Sequence, residues 1–516
     1  MKYILNLVLF CTVSFYSFAQ QPAGTAVEPL KDIDSLFLKI LKDQHVAGFA
    51  VAVVKGDQVI YSKGFGYRDL EHQKPVTPNT LFAIGSSSKA FTSALLGLLQ
   101  KEGKLDLDGK ATTYLPQLRF YNNEMNNQLT VRDMMCHRTG LSRYDTSWYL
   151  FNSNNRDSLL YRVRYMIPTY GIREKWQYNN YMFLAQGMIA EKLTGKTWEQ
   201  NIKERFFDPL NMKRSNTSIF ELQKDTDSSL PYTVDQDERI KRIPYYNISG
   251  MGPAGSINSS ANDMTNWLKL WIGGGRFLAK EILPSSYVRA ASSSQMVMSE
   301  ALPKENADIF LSNYGLGWMI SSYRGHYRVE HGGNINGFSA LVSFFPSDEL
   351  GIVVLTNQNS SKVPETIVSS IADRMFRLSP NDWNGKLNSV KAMAKTKVNK
   401  EKKIIDSVQV LHTKPSHALK NYIGLYKNPA YGTIELVLKK DSLVMKIGEK
   451  TARVRHYHYD IFEAKGGDGE NDAMPTGFDL QLNFITGLDG KIENITIPLD
   501  ENGKQSVFNK VTKPEK

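Results

Sequence analysis

Two hairpin-like stretches stand at opposite ends of one long region. The first, AGFAVAVVKGDQVIYSKGFGY, is two apolar runs around a Gly56-Asp57 turn; the second, SALVSFFPSDELGIVVLTN, turns between Pro346 and Gly351. Runs of β-branched and aromatic residues bounded by turn signals read as strands, and a tight turn can join only antiparallel neighbours. Between the hairpins the strongest signals are helical. KAFTSALLGLLQKEGKL is strongly apolar with Gly103 as a helix stop, and NYMFLAQGMIAEKLTG places Leu184, Met188 and Ile189 on one face with Gly195 at its end. Ahead of them Leu30, Ile33, Phe37, Ile40 and Leu41 recur at helical spacing over residues 29–42. The expectation is an α+β fold of the α/β-sandwich kind over residues 26–375. Its antiparallel sheet is built from both ends of the domain and covered by helices. Direct hairpins exclude a doubly wound parallel sheet.

The 516 residues suggest roughly two to four domains. From 377 to 415 the chain turns polar, and Lys386 to Lys403 holds seven lysines against one glutamate. This stretch reads as a solvated Lys-rich linker, with attraction to an anionic envelope surface as the sharper alternative. It lacks the arginines and aromatics of a nucleic-acid site, so the net charge of +11 does not point to nucleic acid. Beyond it, residues 416–516 alternate apolar and polar positions between regular turn signals, the pattern of a small all-β domain.

The first residues, MKYILNLVLFCTVSFYSFAQQ, read as a signal peptide over 1–19, cut after Ala19. They imply a secreted or periplasmic protein, and the apolar run is short for a membrane span. Later segments lack the length and apolarity of a membrane span. With Cys11 in that leader, Cys136 stands alone, so no intrachain disulfide is expected.

FAIGSSSKAFT, residues 82–92, sets three serines and a lysine at the mouth of the first strong helix. A triple serine caps a helix well. Ser86 and Lys89, three apart, also share a face, and a serine hydroxyl needs a neighbour to take its proton. A lysine serves once burial or nearby positive charge lowers its pKa. The helix start adds free N–H groups suited to an oxyanion. Two later stretches supply partners. WQYNNYMFLAQ contains Tyr178-Asn179-Asn180, and VEHGGNINGFSALV contains His331-Gly332-Gly333.

With these three elements in this order, the chain resembles the serine β-lactamase-like superfamily, in its class C, esterase and D-aminopeptidase branch. LTVRDMMCHRTGLSRYD, GPAGSINSSANDMTNWLKLW and YGLGW also look like segments of that family, and the resemblance covers about residues 30 to 375. It implies Ser86 as the acylated nucleophile and Lys89 with Tyr178 as the proton relay. It implies that Asn180 orients Lys89 and the substrate amide. The N–H groups of Ser86 and Asn334 would form the oxyanion hole. Gly332 and Gly333 would let substrate lie against an edge strand at His331. His331 and Gly332 stand where the best penicillin binders usually carry Lys-Thr, so an ester or peptide-like amide is favoured over a β-lactam. His137 would be structural, and Asp133 and Asp263 read as surface or capping carboxylates. His456 and His458, on one strand face, are a possible metal pair without a third ligand, so neither metal nor cofactor is expected.

Two further readings remain open. One is a penicillin-binding D-alanyl-D-alanine carboxypeptidase. The other is a sensor that keeps the fold without turnover, against which the intact Ser86, Lys89 and Tyr178 set argues. The expected partner is a small-molecule or peptide substrate, with cell-wall material a candidate. Specificity is expected in the loops Ser142 to Thr169 and Asp225 to Pro244, whose shapes, like the oligomeric state, the sequence does not give.

Overall fold

In the computed structural model the described residues are 29–235, 237–299, 310–466, 479–499 and 505–511. The proposed leader lies outside them. Helix α1 (Ile33–Asp43) leads into a hairpin of β1 (Gly48–Lys55) and β2 (Gln58–Asp69). Helices α2 (Ser88–Lys101), α3 (Asn180–Thr194) and α4 (Ala261–Ile272) carry the middle of the chain. Strands β3 (Met319–Tyr323), β4 (His326–Ile335), β5 (Phe338–Phe345) and β6 (Leu350–Thr356) return, followed by α5 (Val363–Met375) and α6 (Trp383–Val408).

The two ends meet where β1 pairs antiparallel with β6, from Phe49 opposite Thr356 to Lys55 opposite Leu350. The sheet has nine strands, and short pairs at 296–297, 313–314 and 74–75 complete it outside β3 and β2. Alternation along a strand sends neighbours to opposite faces. Phe49, Val51 and Val53 pack with Phe37, Ile352, Val354 and Ile367 on one side. Ala50, Ala52 and Val54 join Phe91, Trp267 and Val353 on the other. A strand with both faces covered must be apolar throughout, which is why GFAVAVV shows no polar alternation.

The Lys-rich stretch is helical: residues 383–408 form α6, exposed over 388–397. Lysine is a good helix former, and Asp382 caps the first turn by accepting from the Gly385 N–H at 2.8 Å. Leu387 is buried in the α1 and α5 layer, and Asn384 and Asn388 both accept from the Gln44 side chain of the α1 end. The lysines Lys395 and Lys397 stay exposed on the outer face.

The C-terminal strands, from Gly424–Asn428 to Gln505–Lys510, close an eight-stranded antiparallel barrel. Ile434, Leu436, Met445, Phe462, Phe484 and Phe508 are all buried in it. The barrel docks on residues 144–151. Phe151 packs on Phe508 and Tyr431 at ring distances of 5.8 and 6.2 Å, and the Ser147 hydroxyl donates to the Ala430 carbonyl. His456 Nε2 lies 2.8 Å from the Tyr459 carbonyl, and His458 Nδ1 accepts from the Val410 N–H at 3.1 Å.

Candidate active site

Gly85 opens the turn before α2 in a left-handed conformation, φ 50°. Only a glycine fits, because a Cβ there would come within 2.8 Å of the Asn334 backbone nitrogen. The 3₁₀ turn Gly85–Ser87 then runs into α2, leaving Ser86 at a helix start where N–H groups lack intrahelical acceptors. From the next turn, Lys89 Nζ donates to Ser86 Oγ at 2.9 Å and to the Ala254 carbonyl at 2.7 Å. Lys89 is fully buried. Burial first holds its amine well below the ordinary lysine range; Asp145 opposes that and Arg143 adds to it.

Helix α3 brings the second element. Asn179 is its N-cap, accepting from the Met182 N–H at 3.2 Å. The same residue donates its backbone N–H to His137 Nδ1 at 3.1 Å and its side-chain amide to the Ser142 carbonyl at 2.6 Å. Tyr178, just before the cap, is thereby set beside Lys89, whose Nζ lies 4.8 Å from its ring centroid, and borders the same cleft as Ser86. Burial pushes the Tyr178 phenol above the usual tyrosine range, while Ser86 and Arg143 pull it back.

Asn180 departs from expectation. Its side-chain amide donates to Asp145 Oδ1 at 2.7 Å, not to Lys89. The second acceptor holding Lys89 is the Ala254 carbonyl, which the sequence reading missed within GPAGSINSS.

β4 carries the third element. It pairs with β3 only through His326–Glu330, so from His331 onward β5 lies on one side and the Ser86 turn on the other. A Cβ on Gly333 would lie 1.8 Å from the Ile84 carbonyl and 3.1 Å from the Ser86 nitrogen. Gly333 thus serves the approach of β4 to the nucleophile turn, whereas Gly332, whose nearest neighbour would be 3.6 Å away, is not required by crowding. The Asn334 nitrogen faces the same turn, and its side chain is turned aside to accept from the Ser360 N–H at 2.7 Å and the Ser339 hydroxyl at 3.0 Å. His331 is buried with Nε2 2.9 Å from the Tyr314 hydroxyl and Nδ1 2.6 Å from the Gly332 carbonyl. Burial, with Lys89 nearby, lowers its pKa to about 3, so this imidazole is neutral at any physiological pH.

His137 is buried too, in a left-handed turn (φ 57°), its ring 4.3 Å from that of Tyr178. Of the surface and capping readings of Asp133 and Asp263, capping holds for Asp133, and both carboxylates are buried. Asp133 closes a capping box with Thr130 and pairs with Arg138 and Arg173, and Asp263 accepts from the Arg214 and Ser215 N–H groups. In both, several donors replace the lost water.

Ser86, Tyr178, Asn180, His331, Gly333 and Asn334 border one open cleft of about 1510 Å³. Arg143, Asp145, Trp148 and Tyr149 from the first predicted loop line it, as do Arg242 and Pro244 at the end of the second. Lys450, Asp479, Pro498 and Leu499 form a wall of it from the barrel, a contribution invisible in the sequence because it depends on how the barrel docks.

The family model described as Beta-lactamase matches residues 33–370, and a Domain of unknown function (DUF3471) matches 408–510. Protein flp of Staphylococcus aureus (strain MW2) is 24% identical over 339 residues, covering 65% of this chain and 65% of its own length, so less than two thirds of that relative is matched. The Unguisins hydrolase ungD' of Aspergillus campestris is 27% identical over 434 residues, 78% of each chain. Among solved structures, the octameric penicillin-binding protein homologue from Pyrococcus abyssi superposes with a TM-score of 0.61 at 20% identity, over 92% of this chain and 99% of that one. That likeness concerns the fold. With its model covering 33–370 and the Ser86, Lys89 and Tyr178 constellation assembled within it, the chain belongs to the Beta-lactamase family of serine hydrolases.

Proposed function

We propose that the protein is a secreted serine hydrolase that cleaves an ester or peptide-like amide through an acyl-Ser86 intermediate. The carrying observation is the buried Lys89 amine, 2.9 Å from Ser86 Oγ and 4.8 Å from the centroid of the Tyr178 ring. Ser86 Oγ attacks the substrate carbonyl carbon and its proton passes to the neutral Lys89 amine. The carbonyl electron pair moves onto oxygen, facing the N–H groups of Ser86 and Asn334. Collapse expels the amine or alcohol, which leaves with a proton delivered by Tyr178. The proton that Lys89 took from Ser86 then restores the Tyr178 phenol, which leaves both groups neutral beside the acyl ester. Water then adds to the acyl ester, loses its proton to the same relay, and releases the acid and free Ser86.

Two features favour an extended substrate: the cleft is large, and Tyr149 and Tyr246 stack at 4.8 Å along it. The neutral His331 offers a substrate carboxylate no cation at that position. Export rests on the leader read over residues 1–19.

The test is intact-mass analysis after incubation with a fluorophosphonate and, separately, with a penicillin, alongside Ser86→Ala. A phosphonyl adduct on Ser86 that the variant lacks is expected. No adduct with either probe overturns the proposal, and a lasting penicilloyl adduct redirects it to penicillin binding. N-terminal sequencing of the exported protein tests cleavage after Ala19.

A further inference from the structure

The proton relay of Ser86 is surrounded by groups that burial has stripped of charge. Tyr178 is faced from α2 by Lys89, whose Nζ lies 4.8 Å from the ring centroid. His137 and Trp176 face it from the loops before α3, at 4.3 and 6.0 Å, and His331 from β4 at 6.4 Å. Tyr314, on the short strand Asn313–Tyr314, completes the ring by touching His137 and His331. Burial, with Lys89 nearby, holds both imidazoles neutral, and burial keeps Tyr314 a phenol. The charged groups that act on this relay are Arg143 and Asp145.

Their placement is specific. The Arg143 guanidinium carbon lies 4.6 Å from the Tyr178 ring centroid, on the cleft side. Asp145 holds it there, accepting from Arg143 Nε at 2.7 Å. Asp145 is held in turn: its Oδ1 accepts from the Asn180 amide at 2.7 Å and from Trp148 Nε1 at 2.8 Å. The segment is fixed from behind by the barrel, where the Tyr144 ring packs on Tyr431 at 5.7 Å. A planar cation tethered at one edge and laid over an aromatic face is a low-entropy way to keep charge beside a ring.

We propose that Arg143 is a positioning residue of the hydrolase: tethered by Asp145, it holds Tyr178 against Ser86 and supplies the fixed positive charge beside the proton relay. The inference rests on the relay described above. It assigns a purpose to the Asn180–Asp145 bond, which otherwise points away from Lys89. Because Arg143 and Asp145 carry opposite charge, the two act in opposite directions on the deprotonation that activates Ser86. Arg143 favours the proton-free relay and Asp145 opposes it.

The experiment is the rate of fluorophosphonate inactivation against pH for the full chain and for Arg143→Met, Arg143→Lys, Asp145→Asn, Tyr178→Phe and Lys89→Met. Asparagine at 145 keeps one oxygen for Asn180 and Trp148 and replaces the oxygen that holds Arg143 with an amide, so that variant removes the negative charge and the tether together. Arg143→Met should move the acid-side midpoint up by about one pH unit, with about a tenfold slower rate below the midpoint. Arg143→Lys should return most of that shift, and Asp145→Asn should move the midpoint down. A residue that only packs would lower the rate at every pH and leave the midpoint in place. An unmoved midpoint in both Arg143→Met and Asp145→Asn, with Tyr178→Phe and Lys89→Met inactive, overturns the role of Arg143 and leaves the relay standing. Wild-type rates and profiles in both Tyr178→Phe and Lys89→Met overturn the relay and this inference with it. If Arg143→Met does not fold, the sign of the Asp145→Asn shift decides alone.

Discussion

Lys89 Nζ stands between Ser86 Oγ at 2.9 Å and the Ala254 carbonyl at 2.7 Å, neither of which is a carboxylate. A buried ammonium there would be desolvated without a counter-charge at bonding distance, so the free amine is the favoured form. That form accepts a proton, and replacing it should slow acylation by roughly 10²- to 10⁴-fold. The same geometry makes a stability prediction. An unfolded chain binds the lysine proton below about pH 10.4, while the folded amine binds it only well below that range. Between the two values the unfolded state holds more protons, so stability rises with pH. Lys89→Met removes this slope. Its melting temperature relative to wild type should be higher at neutral pH than near pH 10, and an offset independent of pH would mean that the folded protein carries a charged Lys89.

Asp133, an acid rather than a base, gives stability that rises with pH in the acid range. It is fully buried, and Arg138 and Arg173 reach it at 2.6 and 2.7 Å. Burial raises its pKa, but the bonds to Arg173, Thr130 and Arg138 together outweigh that and leave the carboxyl below the usual range. Its contribution is therefore present above the ordinary aspartate pKa and is lost as pH falls through the lower folded value. Asp133→Asn should cost about 3 kcal/mol at neutral pH, since two arginines lose a buried partner. Denaturant titrations at pH 7 and at about pH 3 should show that cost shrinking in acid.

Two adjacent glycines separate crowding from chemistry. At Gly333 a methyl group would collide with the Ile84 carbonyl at 1.8 Å, so β4 or the nucleophile turn must move. At Gly332 the nearest atom would be the Ala340 carbonyl at 3.6 Å, an ordinary contact. Gly333→Ala should lower stability by roughly 1–3 kcal/mol and sharply slow fluorophosphonate labelling of Ser86. Gly332→Ala should leave both close to wild type. Thermal melts and labelling rates on the two variants check this, and equal effects would contradict the placement of β4.

How much of this could be read beforehand follows from what each feature depends on. The hairpins and the Ser86, Tyr178 and His331 segments carry local signals: strand periodicity, turn residues and helix starts. The sheet joining β1 to β6 followed because each end supplied an antiparallel pair. The helical form of residues 383–408 was not legible, because the charge of the stretch masks two buried anchors at its start, Asn384 and Leu387, that tie it to α1 and α5. Asp133 and Asp263 look like any capping carboxylate until the fold supplies the donors that permit burial. Arg143 over Tyr178 carries no local signal, because the contact joins residues from two segments brought together by the N-cap Asn179.

The barrel's share of the cleft gives the last prediction. Lys450 Nζ donates to the Tyr149 and Leu150 carbonyls at 3.0 and 3.1 Å and lies 5.9 Å from both the Tyr149 and Tyr246 rings. It therefore ties the barrel to the aromatic wall of the cleft, away from Ser86 itself. Burial lowers its pKa, so part of the stem is desolvated between the domains. Lys450→Met keeps much of that apolar stem and removes the tie to the two carbonyls. A small fluorophosphonate that reaches only Ser86 should react within about twofold of wild type, because the relay is untouched. A substrate long enough to lie along Tyr149 and Tyr246 should show a KM raised by roughly 5- to 30-fold with kcat little changed, the signature of lost uniform binding worth about 1–2 kcal/mol. Steady-state kinetics on a short and a long amide or ester would decide it. An equal loss on both, expressed in kcat, would mean that the barrel acts on the nucleophile rather than on the length of substrate the cleft accepts.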